Sequence, residues 1–141
     1  MLGLVGTTGA RLGLRYDFDR VRHTNTFRAH QVLHHAKSSG RQLPMLEVLF
    51  SAFFERVRDL RGVDELVVLA TEAGLDAVDT REALASDQYA EAVRADRELA
   101  ASNGIEKTPT YAVEGQPPIH GAKRPAVLVE ALRAAAQHSQ C

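Results

Sequence analysis

At 141 residues the chain has the size of one domain and enough length to bury a core. Its hydrophobic share of 45% and charged share of 25% are ordinary for a globular chain. A formal net charge of −1 leaves no global drive toward nucleic acid or an anionic membrane, and a single cysteine excludes both an internal disulfide and a cysteine-based metal site.

The charge is unevenly spread. Residues 1–41 carry seven Arg or Lys against two Asp, whereas residues 44–98 carry thirteen Asp or Glu against six Arg. No aromatic residues interleave the basic stretch in the manner of a nucleic-acid site, so it reads as solvated surface. The apolar run Leu2-Gly-Leu-Val5 is too short for a signal peptide and has no basic stretch before it. No run approaches the length needed to cross a bilayer. A cytoplasmic location is the expectation.

The opening MLGLVGTTGARLGL, with glycines at 3, 6, 9 and 13, lacks the Gly-Lys-Ser/Thr of a phosphate loop and reads as a ragged entry. Tyr16-Asp-Phe-Asp19 follows as an extended or turn segment. From Thr24 the period becomes helical. Thr24 or Asn25 serves as cap, Phe27, Ala29, Val32, Leu33 and Ala36 form the apolar stripe, and Gly40 ends the helix. Pro44 suits the first turn of a second helix, whose Leu46, Leu49, Phe53 and Val57 recur at steps of three and four. Asp64 is expected to cap a third helix, which closes at Gly74. Asp79-Thr-Arg-Glu82 has capping-box spacing for a short fourth helix. Ser86 or Asp87 starts a fifth, carrying Tyr89, Val93, Leu99 and Ala100 as far as Asn103-Gly104.

Beyond Gly104 the pattern turns extended. Thr110-Tyr-Ala-Val113 is rich in strand formers, Glu114-Gly-Gln-Pro-Pro118 is a turn, and Ile119-His-Gly-Ala122 is a short partner strand. Pro125 begins a last helix with Val127, Leu128, Ala131, Leu132 and Ala135 inward, fraying over the final AAAQHSQC. The expected order is five helices, a hairpin and a helix. A lone two-stranded hairpin is marginal in water and leaves its edges open. Further strands are expected from elsewhere.

His30-Gln-Val-Leu-His34 has the spacing of a zinc-protease helix, with His35 adjoining. The position of that motif's general base holds Gln31, and an amide cannot take a proton from a metal-bound water. No third ligand follows at a matching interval, so no metal site is expected. Cys141, at the chain end, lacks the held electropositive setting of a reactive thiol. Thr108-Pro109 is more informative. A proline at the mouth of a strand removes a ladder donor and can take a cis bond. Thr108 would then turn its backbone N–H and C=O outward to receive an extended peptide. The alternative is a trans proline that merely begins an edge strand.

Gly104-Ile105, Thr108-Pro109-Thr-Tyr-Ala-Val113, Ile119-His-Gly-Ala122 and the Ala/Leu-rich last helix resemble the C-terminal half of a DsbA-like thioredoxin fold. Asn25-Thr26, Ala29-His30 and Leu49-Phe50-Ser-Ala-Phe53 are similar to the helical insertion of the FrnE-type branch, a group of dithiol-disulfide oxidoreductases or isomerases. The likeness runs from about Leu12 to Arg133. It implies an α/β, thioredoxin-like fold of DsbA type, here mostly α, with a helical region at 1–103 and the C-terminal half of the thioredoxin fold at 104–141. It also implies that Pro109 is a cis-proline facing the redox site. Thr108, Pro109, Asn25 and His30 become the expected substrate-binding residues.

The family's strand-helix-strand bearing Cys-x-x-Cys is absent from these residues. The chain therefore reads as truncated, with no catalytic residue, cofactor or metal of its own, and as redox-inactive alone. A protein or peptide thiol or disulfide is the implied substrate. A homodimer or a partner chain completing the sheet is the implied assembly, and neither nucleic acid nor membrane is an expected partner. Two other readings stay open. One is a fragment of a glutathione-dependent 2-hydroxychromene-2-carboxylate isomerase of the kappa class, and the other is a non-catalytic interaction module.

Overall fold

A computed structural model of the chain describes residues 2–21, 24–114 and 116–138. Cys141 and Gly115 of the hairpin turn lie outside the described residues. The chain divides into two compact units, Met1–Arg94 and Ala95–Cys141. The boundary falls inside a helix.

The first unit holds α1 (Leu2–Arg11), α2 (Phe27–Ser38), α3 (Gln42–Phe50), a π-helical turn (Ser51–Glu55), α4 (Val63–Glu72) and α5 (Ala77–Ala85). α6 (Ala90–Ser102) begins in it and ends in the second. α2 packs on α3, α4 and α5, while α4 packs on α3 and α5. Met45, Leu66 and Leu69 are fully enclosed at the centre, with Val32, Ala36 and Ala52 around them. Burying a leucine-sized side chain contributes about 1.5–3 kcal/mol, so this cluster dominates the unit's stability.

α2 and α4 end at Gly40 and Gly74, as their patterns predict, with φ of 66° and 84°. Their beginnings differ from expectation. α2 starts at Phe27, and Asn25 acts from just outside, its Oδ1 accepting from the Phe27 N–H at 2.9 Å. Gly62 occupies the N-cap position of α4, leaving Asp64 and Glu65 in the first turn. Carboxylates there still favour the helix through its dipole. α5 is capped by Asp76 rather than opened by Asp79. The Asp76 carboxylate accepts from the backbone N–H groups of Val78 and Asp79. α6 begins at Ala90, three residues later than predicted, because Asp87 takes a left-handed conformation with φ of 50°.

The glycine-rich opening is a helix, not a ragged entry. The ring of Tyr16 lies so close to Gly9 that an added Cβ would meet it at 2.5 Å. Glycine therefore serves as a contact surface there, which outweighs its poor helix propensity.

The second unit contains β1 (Thr110–Tyr111), β2 (Ile119–His120) and α7 (Pro125–His138). The strands pair antiparallel, Thr110 opposite His120 and Tyr111 opposite Ile119. Both are shorter than their sequence patterns suggest. α7 runs on to His138 instead of fraying from Ala134. Leu132, expected inward, is 57% exposed. Among the described residues no helix is long and apolar enough to cross a membrane.

Candidate functional site

In the C-terminal unit, the segment entering β1 is fastened from two directions. The Thr108–Pro109 peptide bond is cis. Behind it, the Gly121 N–H donates to the Pro109 carbonyl at 2.7 Å. The Thr110 hydroxyl donates to the Lys107 carbonyl and also meets His120 Nδ1 at 3.1 Å. A hydroxyl has one hydrogen. With that hydrogen committed to Lys107, its oxygen accepts from His120, so Nδ1 carries the ring proton and Nε2 is the basic nitrogen of the neutral imidazole.

Thr108 is exposed, and neither its N–H nor its C=O has a hydrogen-bond partner among the described residues. Pro109, also exposed, has no N–H to offer. The result is a bend held at the mouth of β1, with one free donor and one free acceptor on the same residue. Such an edge can take up another extended chain by backbone hydrogen bonding.

The other two predicted residues belong to the helical unit. Asn25 is exposed, and its Oδ1 accepts from the first turn of α2. His30 is exposed one turn along, its N–H bonded to the Thr26 carbonyl within the helix. Of the neighbouring zinc-protease spacing, the structure keeps Gln31 for a different purpose. Gln31 is 1% exposed, and its Nε2 donates to Asp87 Oδ1 at 3.2 Å, pinning the left-handed turn before α6, while its Oε1 has no partner. His34 and His35 lie against the ring of Tyr89, with centroids 6.5 and 5.8 Å away. Among the described residues no three His, Cys, Asp or Glu side chains come together to hold a metal.

A cleft of about 420 Å³ in the helical unit is lined by Thr24, Val57 and the arginines 20, 58 and 61. Each guanidinium already has a carboxylate: Arg20 with Asp17 at 3.4 Å, Arg58 with Glu65 at 2.8 Å, and Arg61 with Asp59 at 2.7 Å. The Arg61 side chain and backbone N–H hold the Asp59 carboxyl down to about 2. The arginines of the cleft therefore show little uncompensated charge.

The Thr110–His120 lock and the Gln31–Asp87 pin were not foreseen. The link between β1 and β2 is too long for a two-residue turn to set its register. The Gln31 partner lies 56 residues away.

The family of DSBA-like thioredoxin domains matches residues 4–133. A probable DsbA oxidoreductase from Streptomyces coelicolor, known from its crystal structure, is similar at a TM-score of 0.75 and 34% identity. The match covers 96% of this chain and 58% of that one, so the present chain spans under two thirds of the solved relative's length. No curated protein matches. The helical unit, the short antiparallel hairpin and the closing helix are those of a DsbA-like thioredoxin fold, and the chain belongs to the DSBA-like thioredoxin-domain family.

Proposed function

We propose that this chain is the substrate-holding part of a FrnE-type disulfide oxidoreductase or isomerase. Its Thr108 edge receives an extended protein or peptide segment that carries a thiol or disulfide. The observation that carries this reading is the unpaired N–H and C=O of exposed Thr108, beside Pro109 and anchored from behind by Gly121. Backbone pairing there would hold a substrate in register without demanding a particular side chain. That tolerance suits a protein that acts on many sequences.

Thiol–disulfide exchange needs an attacking thiolate and a thiol to resolve the mixed disulfide. These 141 residues hold Cys141 alone. The pair of thiols that gives two electrons to a substrate disulfide, and becomes a disulfide itself, must therefore be contributed by other residues. A partner chain, or a second copy, would also extend the two-stranded sheet. We assign no catalytic residue and no cofactor to this chain.

Reduction of insulin by dithiothreitol tests the reading, because turbidity reports separation of the insulin chains. The purified 141-residue chain is expected to leave the rate at that of dithiothreitol alone, and replacing Cys141 with serine is expected to change nothing. Acceleration that scales with the amount of chain would contradict it.

A further inference from the structure

α3 and the π-helical turn present apolar residues on two opposite sides. Met45, Leu49 and Ala52 face the core and are buried. On the other side Leu43, Glu47, Phe50 and Phe54 follow at helical steps, with Leu43 72% and Phe50 55% exposed. An apolar helix side left open to water marks an interaction surface more often than an isolated exposed residue does. The segment from Leu14 to Tyr16 forms the opposite wall, closing a cavity of about 400 Å³ with Phe50 and Phe54.

The floor of this groove is a cluster of aromatic rings. Phe54 packs against Tyr16, Phe18, Phe50 and Phe53 at centroid distances of 5.0–6.1 Å. Rings already packed against one another have less freedom to lose when a partner arrives. The rim carries two carboxylates, Glu47 and Glu55. Glu55 is positioned by the Ser51 hydroxyl at 2.9 Å and the Arg15 backbone N–H at 3.4 Å, and it has no ion pair among the described residues. Glu47 has no ion pair among the described residues.

We propose that this groove docks a segment of another protein that places an apolar side chain beside a lysine or arginine. The apolar group fills the space between Phe50, Phe54 and Tyr16. The cation reaches Glu47 and Glu55 with its aliphatic stem along the Phe50 ring. A second copy of this chain is the poorer occupant. In a two-fold interface the groove would meet itself and bring four carboxylates together.

Fluorescence anisotropy with a short fluorescein-labelled peptide tests the proposal. The probe has a Leu-Phe pair flanked by lysines, and its counterpart has glutamates in their place. The lysine peptide is expected to bind about tenfold more tightly than the glutamate peptide. Phe50→Ala should weaken its binding by about tenfold, as loss of a central aromatic anchor does. Glu47→Lys, at an exposed position that leaves folding untouched, should reverse the preference. Val78→Ala, exposed on α5, should leave binding unchanged. Equal affinity for the two peptides, no binding of either, or an unaltered preference in Glu47→Lys would overturn the proposal. So would concentration-dependent sedimentation that Phe50→Ala abolishes, because the occupant would then be a second copy.

Discussion

The two units are built on different physical terms. Every buried apolar side chain among the described residues lies between Ala29 and Val93, within the helical unit. The C-terminal unit places its apolar residues at half-buried or exposed positions, Leu132 among them, and joins two strands of two residues each. A hairpin of that size needs further strands or a packed face for independent stability. What the second unit does have is local fastening: the Gly121–Pro109 and Thr110–His120 bonds shape the entrance to β1 without a core beneath it. The helical unit carries the stability, and the C-terminal unit carries the exposed backbone edge.

The sharpest way to break this contrast is to delete equivalent side chains in the two units. Leu66→Ala, at a fully enclosed position, should cost about 2–5 kcal/mol in urea denaturation. Leu132→Ala should cost under about 0.5 kcal/mol. Equal losses would mean that the C-terminal unit shares a core with something the contrast ignores.

A smaller effect of the opposite sign is expected at Val57. This β-branched residue ends the π-helical turn in a left-handed conformation, φ 53°, while the Arg58 N–H returns to the Ala52 carbonyl at 2.8 Å. Glycine is the usual occupant of such a position. Val57→Gly should stabilise the helical unit by about 0.5–1 kcal/mol, the relieved backbone strain outweighing the freedom gained by the unfolded chain. Destabilisation in the same denaturation experiment would show that the valine side chain matters more than its backbone.

The smallest effect concerns Asp59. The Arg61 hydrogen bonds lower its carboxyl from 3.8 to about 2. A lowered native value means that the pair's contribution is complete above about pH 4 and is lost as the pH falls through about 2. Both side chains are exposed, so salt should weaken the effect. NMR titration of the Asp59 carboxyl should give a midpoint near 2 at low salt that moves upward as salt is added. A midpoint at the ordinary carboxylate value would remove the pairing with Arg61.

Much of the helical unit was legible because its signals are local. Gly40 and Gly74 stop their helices, and the stripes through Val32 and Leu66 point inward. Initiation was less legible because several oxygens compete within a few residues. Asp79 fits a capping-box spacing, yet Asp76, one turn earlier, makes the bonds. α1 escaped notice because four glycines look like punctuation until the Tyr16 ring against Gly9 is known. At the candidate site, Thr108 and Pro109 announced themselves through proline chemistry and family likeness. The His120 tautomer depends on Thr110, bonded to Lys107 on its own side, meeting His120 across a hairpin whose register no turn motif reveals. The carboxylate partners of Arg58 and Arg61, Glu65 and Asp59, become evident only after folding.

The central claim is that the Thr108 edge accepts an extended peptide while the helical core stays as it is. An isotope-labelled chain titrated with a short extended peptide carrying a disulfide-blocked cysteine, followed by amide NMR shifts, addresses it directly. The largest shifts are expected at Thr108, Thr110 and Gly121, with Leu66 and Leu69 unmoved. A peptide that leaves residues 107–111 unshifted, whether or not it perturbs other amides, would contradict the claim.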